Sequence, residues 1–215
     1  MVSHGLIVRL HAKHGRENQL EDFLVGAAPS VQLEPATSAW FALRFGRGEY
    51  GIFDAFPNEA GRQAHLSGAV AAQLMAQARD LLESGPRIEK VGILASKMPE
   101  PLPAQPVTRG LLLAFKAQQG HELKVEQFLR DAEPLVQAEP GTVAWFALQF
   151  ENGEYGIFDV FPDNGARFAH LTGHVPRELT RHALSLLGGL PDIDMLQVLA
   201  ANFAIRTSDV GLGVD

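Results

Sequence analysis

Two rhythms of apolar and polar positions alternate along this chain, and the same succession of rhythms runs through it twice. A short apolar run over 6–10 predicts a strand, and Gly15 a turn after it. Leu20, Phe23, Leu24, Ala27 and Val31 then recur at three- and four-residue spacing, which predicts a helix with one buried stripe, ended before Pro35. Strands are predicted over 37–45 and 49–56. Asn58 is an N-cap candidate for a second helix carrying the stripe Leu66, Val70, Leu74, Ala78, Leu81 and Leu82, weakened at Gly68. A last strand is predicted over 88–95. The second succession runs from a strand over 111–115 to the stripe Val125, Phe128, Leu129, Ala132 and Val136, then strands over 142–150 and 154–161, an N-cap at Asp163, and a strand over 193–200. Pro176 predicts a break in its second helix.

Residues 5–97 align without a gap on 110–202, at a constant offset of 105 and with roughly 44 identities in about 93 positions. That density marks duplication of a whole domain. The expected organisation is copy one over 1–97, a linker over 98–109, copy two over 110–203 and a tail over 204–215. Alternating prolines at 99, 101, 103 and 106 favour a stiff polyproline II spacer, able to span roughly 35–40 Å.

In copy two the central strands meet at Asn152-Gly153, a strong signal for a two-residue type I′ hairpin. That register pairs Glu151 with Glu154. It sets Phe146, Leu148, Phe150, Tyr155, Ile157, Asp159 and Phe161 on one face, and Trp145, Ala147, Gln149, Gly156, Phe158 and Val160 on the other. Both faces are apolar, so the hairpin is expected to be covered twice, by its own helices and by another sheet. The order β-α-β-β-α-β is the ferredoxin-like split βαβ unit. Two such units burying their outer sheet faces against each other predict an α+β protein, an intramolecular dimeric α+β barrel with pseudo-two-fold symmetry. Neither half is expected to be soluble alone.

Composition narrows the function classes. The net charge is −7 without a basic stripe, so nucleic acid is not an expected partner. The absence of cysteine removes disulfides, thiolate nucleophiles and iron–sulfur ligation, and a cytoplasmic location is expected. No apolar run reaches the ~18 residues that cross a bilayer, and no membrane partner or export signal is expected.

Glu139-Pro140-Gly141-Thr142, the stretch from Tyr155 to Phe161 and Ala169-His170-Leu171 resemble the antibiotic biosynthesis monooxygenase family. Copy one carries Glu34-Pro35-Ala36-Thr37, the stretch from Tyr50 to Phe56 and Ala64-His65-Leu66 at the same spacing. The resemblance implies cofactor-independent oxygenation: an electron-rich phenol or quinol is deprotonated and its anion reduces dioxygen, with no metal, flavin or other cofactor. A small aromatic or hydrophobic ligand and dioxygen are then the implied partners, with further homo-oligomerisation left open. In the haem-degrading branch an Asn on the first strand and a helix His are typical. Here those positions hold Val8 and Leu113, and Met75 and Thr180, and both departures argue against haem, while His182 near the helix position leaves that alternative open.

The candidate proton carriers are His65 and His170 on the second helices, and Asp54 and Asp159, which desolvation on an apolar sheet face would push toward useful pKa values. The competing reading of each Asp is a buried ion pair, with Arg62 or Arg167 as partner. Trp40, Trp145, Tyr50 and Tyr155 are candidate pocket walls; the hairpin register turns the tryptophans away from the Asp and places the tyrosines on the Asp face, beside the hairpin turn. Their alternative is core packing. His170 and His174 at i, i+4 form a weak metal pair with no counterpart at Ala69, and no metal site is expected. Across the whole chain, the class that competes with an oxygenase is a non-catalytic or stress-associated barrel that binds a hydrophobic small molecule.

Overall fold

The computed structural model describes residues 1–173, 177–178, 181 and 185–204. The calls on His174, Pro176, Thr180, His182 and most of the tail lie outside these residues. The first half runs β1 (His4–His11), α1 (Glu17–Gln32), β2 (Ala39–Gly46), β3 (Glu49–Phe56), α2 (Glu59–Leu66), α3 (Ala69–Leu81) and β4 (Arg87–Lys97). The second runs β5 (Arg109–Lys116), α4 (Glu122–Asp131), α5 (Glu133–Gln137), β6 (Ala144–Phe150), β7 (Glu154–Phe161), α6 (Asn164–Leu171) and β8 (Asp192–Phe203). Asn58 and Asp163 cap α2 and α6, each side chain accepting from a backbone N–H three residues on, at 2.9 and 2.8 Å. The stripe from Val125 to Val136, expected as one helix, is divided at Ala132, just before Pro134 in the first turn of α5.

All eight strands close into one antiparallel barrel in the order β1-β3-β2-β8-β5-β7-β6-β4. Closure is made twice across the halves, by β2 on β8 and by β4 on β6. In each of these seams the final strand shifts register, at Leu94 and at its counterpart Leu199. A bulge re-aims a side chain. Leu94 packs against the helix-side core of the second half, and Leu199 against that of the first. Arg130 then donates to the Leu94 carbonyl at 2.6 Å, and the Lys97 ammonium donates to the carbonyls of Val136 and Glu139. Each half therefore ends in the other's packing.

The barrel interior is filled. Phe41 and Phe53 of the first half meet Phe146 and Phe158 of the second, with Phe53 stacked on Phe158 at a centroid distance of 4.2 Å. Two further cores lie outside the barrel wall, under the helices of each half. The hairpins are thus covered on both faces.

The expected hairpin register is corrected by one residue. Trp145 stands opposite Asp159, and Gln149 opposite Tyr155. Only Gly153 has a positive φ, of 82°, and its N–H bonds the Phe150 carbonyl, so Asn152 does not take the conformation that a type I′ turn demands. The loop is the three-residue form, a type I turn closed by glycine in the left-handed region. The correction moves Trp145, Ala147, Tyr155, Ile157 and Asp159 together to the helix side, and Phe146, Leu148, Phe158 and Val160 to the barrel interior. Copy one behaves alike, with Trp40 opposite Asp54.

Phe158→Ala removes a ring that both halves share and is expected to cost about 3–5 kcal/mol. Urea unfolding followed by fluorescence and by circular dichroism should show one transition moving as a whole; two transitions, of which one stays in place, would show halves that fold independently.

Candidate functional site

Each half buries an acid–imidazole–acid chain between sheet and helix. In the first half the imidazole of His65, in the last turn of α2, has its Nδ1 2.5 Å from Glu34 Oε2 and its Nε2 3.7 Å from Asp54 Oδ1 on β3. In the second, His170 Nδ1 lies 2.6 Å from Glu139 Oε2 and Nε2 lies 3.1 Å from Asp159 Oδ2. Thr37 and Thr142 donate to the same Glu oxygens, at 3.0 and 2.9 Å. Because Nδ1 is committed to the Glu, Nε2 is the nitrogen turned to the Asp.

Local sequence explains the placement. The helix cap at Asn58 or Asp163 fixes the entry of a two-turn helix, whose last turn presents the His over the end of β3 or β7. Gly68 and Gly173 hold open the space for the Glu. A Cβ on Gly173 would stand 2.9 Å from the His170 carbonyl and 3.0 Å from Glu139 Oε1, so the glycine read as a helix weakness is a close approach.

Exposure falls steeply along the first chain, with side chains 20% exposed at Glu34, 7% at His65 and 1% at Asp54. Burial pushes the Asp54 carboxyl up to about 7, against the attraction of His65. Asp159 is raised for the same reason. Burial by itself would lower the imidazoles, but the paired acids outweigh it: Asp54 and Glu34 raise His65, while Asp159 and Glu139 carry His170 up to about 10. Glu139 is lowered, its partial burial overcome by the His170 bond and charge.

Several buried polar atoms at this site have no hydrogen-bond partner among the described residues. They include both carboxylate oxygens of Asp54 and Asp159, Oε1 of Glu34 and Glu139, and the indole N–H of Trp40 and Trp145. His170 Nε2 and Asp159 Oδ2 are therefore within ion-pair contact but not aligned as a hydrogen bond. In each copy an orphaned donor and an orphaned acceptor stand on directly paired strand positions of one face. Such atoms are costly unless water or a ligand completes them.

The structure separates other candidates from this chain. Arg62 and Arg167 do not pair with the Asp; their guanidinium groups donate to the carbonyls of Gly5 and Val91, and of Gly110 and Leu196, clipping the helix to paired strand ends. Tyr50 and Tyr155 share the Asp face but donate to Glu21 and Glu126 of the first helices, at 3.4 and 3.1 Å. Four residues of strand, roughly 13 Å, separate each from its Asp. Trp40 and Trp145 are fully buried core residues that face the Asp rather than away from it. Cavities of about 320, 470 and 230 Å³ lie among the described residues, and these are not lined by Asp54, His65, Asp159 or His170. Among the described residues no group of three His, Asp or Glu side chains is arranged to hold a metal ion. Sequence reasoning passed over Glu34 and Glu139 as site residues, although the repeated Glu-Pro-x-Thr at a fixed 31 residues before each His carried the signal.

The proton held on His170 makes stability depend on pH. A folded pKa near 10, against 6.5 unfolded, gives a contribution fully present below about 6.5 and lost as the pH climbs toward 10. Asp54, also raised, works in the same direction over the window from 3.8 to about 7. The urea midpoint is expected to be lower at pH 9.5 than at pH 6, and His170→Gln to flatten the alkaline part. A wild-type midpoint that rises over that interval would exclude the protonated imidazole.

No family model matches this chain, and no curated protein matches it closely enough to serve as a relative. Among solved structures, a presumed monooxygenase from Fusobacterium nucleatum superposes with a TM-score of 0.80 at 12% identity, over 94% of both chains. One from Lactobacillus acidophilus gives 0.80 at 11% identity, over 94% of this chain and 97% of its own. An uncharacterised ferredoxin-fold protein of Listeria monocytogenes, described as related to antibiotic biosynthesis monooxygenases, gives 0.55 at 9% identity, over 92% and 95%. At these identities the likeness is one of fold: this chain shares the mixed α+β architecture of proteins named for monooxygenases. No helix among the described residues is long and apolar enough to cross a membrane.

Proposed function

We propose that the chain is a tandem pair of ferredoxin-like units of the antibiotic biosynthesis monooxygenase type, and that it oxygenates a small electron-rich phenol or quinol without a cofactor. The observation that carries this reading is the buried chain of Asp, His and Glu, whose innermost carboxylate faces the imidazole but accepts no aligned hydrogen bond, opposite an indole N–H that likewise donates none among the described residues. Asp159 or Asp54, raised by burial, takes the substrate hydroxyl proton. His170 or His65 relays it to Glu139 or Glu34, the most exposed member of each chain. The indole N–H of Trp145 or Trp40 holds the substrate oxygen as it becomes an anion. The anion then gives an electron to dioxygen, the two radicals combine as a hydroperoxide, and loss of water leaves a carbonyl, with the relay returning the proton that water needs.

A second reading is a non-catalytic barrel that binds a hydrophobic ligand. What favours it is the filled barrel interior, whose phenylalanines leave the two halves packed ring against ring.

Oxygen consumption with a panel of quinols and hydroxylated aromatics separates the two readings. Turnover is expected for wild type, with at least a 100-fold loss on combining Asp54→Asn with Asp159→Asn. Combining His65→Ala with His170→Ala is expected to slow the reaction most at low pH, where the isolated Asp holds its own proton. Unchanged turnover in the histidine double variant would remove the imidazoles from the mechanism, and no turnover on any substrate would favour the binding reading.

A further inference from the structure

A cavity of about 320 Å³ opens at the end of the barrel where β1, β2 and β5 finish and β3, β4, β7 and β8 begin. The linker lies at the opposite end, where Met98 to Leu102 line a different cavity. The floor of the first is apolar and doubled: Ile7 and Phe45 come from the first half, and their counterparts Leu112 and Phe150 from the second. The cavity therefore straddles the axis that relates the halves.

Its rim has lost that symmetry. Glu49 and Glu154 are equivalent and alike, but the position of Arg9 is Ala114 in the second half, and that of Arg87 is Asp192. Two identical chains in a dimer would present the same side chain on both sides of such an axis. A single chain with two copies is free of that constraint. The cations of the rim are already engaged: Arg9 with Asp194 across the halves at 2.7 Å, and Arg87 with Glu89. Glu49 and Asp192 make no ion pair among the described residues, and Glu154 pairs with Lys116 at 3.6 Å and accepts from the Asn152 amide at 2.9 Å. The unneutralised charge at the mouth is thus negative, above a floor that includes two phenylalanines. One of them, Phe45, already stacks with a cation, the Arg9 guanidinium 3.7 Å from its ring centroid. Ala114 leaves open the space that a second arginine would fill.

We propose that this mouth is a binding site for a small organic cation with an apolar body, of the aryl-alkyl ammonium class. The ring sits among Ile7, Leu112, Phe45 and Phe150, and the ammonium is held by Glu49 and Asp192. The site is separate from the buried Asp–His–Glu chains and does not depend on the oxygenase reading.

Calorimetry and amide chemical-shift mapping on the full chain, at low salt, test it with three probes of similar shape: phenethylammonium, neutral 2-phenylethanol and anionic 3-phenylpropionate. Phenethylammonium is expected to bind, to shift the amides of Ala114 and Asp192, and to weaken as salt is raised. Combining Glu49→Gln with Asp192→Asn is expected to lower its affinity about tenfold, leaving 2-phenylethanol unchanged. Ala114→Leu fills the cavity and is expected to abolish binding of both, with an unchanged unfolding midpoint showing that the barrel is intact. Binding of 3-phenylpropionate as tight as that of the ammonium, ammonium binding that survives Ala114→Leu, or no binding by any probe would each overturn the proposal.

Discussion

An open four-stranded sheet whose inner face carries Ala39, Phe41, Phe53 and Ala55 would expose a continuous apolar surface to water, and the fold is organised around removing it. The equivalent face of the other half covers it, and the two share one core. Burial of the four central phenylalanines against one another dictates that the sheets meet face to face. The hydrogen-bonding edges of β2 and β4 then meet β8 and β6, so closure also removes the open sheet edges. The bulges at Leu94 and Leu199 follow from the same constraint, because a last strand long enough to cross the seam must deliver its side chains to the partner half's outer core.

With the inner faces committed to each other, the buried titratable groups lie on the outer faces, under the helices. There the Asp–His–Glu chains sit in surroundings that disfavour charge, and each is stable only as a unit. Taking away one member leaves a buried charge unmatched. Exposure is graded along each chain, from the fully buried Asp through the His to the partly exposed Glu. The same arrangement leaves the Asp oxygens and the indole N–H incompletely satisfied, an expense that a purely structural core has no reason to carry.

The two copies have kept that chain and diverged elsewhere. Asp54, His65, Glu34 and Thr37 are each repeated 105 residues later, and so are the glycines that make room for the Glu. The contacts that differ lie at the seams and ends: Lys97 reaches the carbonyls at the end of α5, and Arg9 crosses to Asp194. A single chain is free to differ at positions near the axis where a symmetric dimer is not, and Arg9 against Ala114 and Arg87 against Asp192 at the barrel mouth are such differences.

Much of this was legible in one dimension. The constant offset of 105 fixed the halves, hydrophobic periodicity placed the helices and strands, and Asn58 and Asp163 announced their caps, because these properties depend on neighbours within a few residues. The positions of His65, His170, Asp54 and Asp159 were readable as candidates for the same reason. The hairpin register was not. Asn152-Gly153 allows two loop lengths that differ by one residue, and the choice between them rests on which faces the completed barrel buries, an energy spread over both halves. That single residue turned Trp40 and Trp145 toward the acids. Likewise Glu34 and Glu139 lie 31 residues from their histidines, and Arg62 and Arg167 lie close enough in sequence to look like partners of the Asp. Only the packing of helix on sheet decided that the distant glutamates take the imidazoles and that the nearby arginines clip backbone carbonyls, since hydrogen bonds over such separations are set by tertiary geometry and not by local pattern.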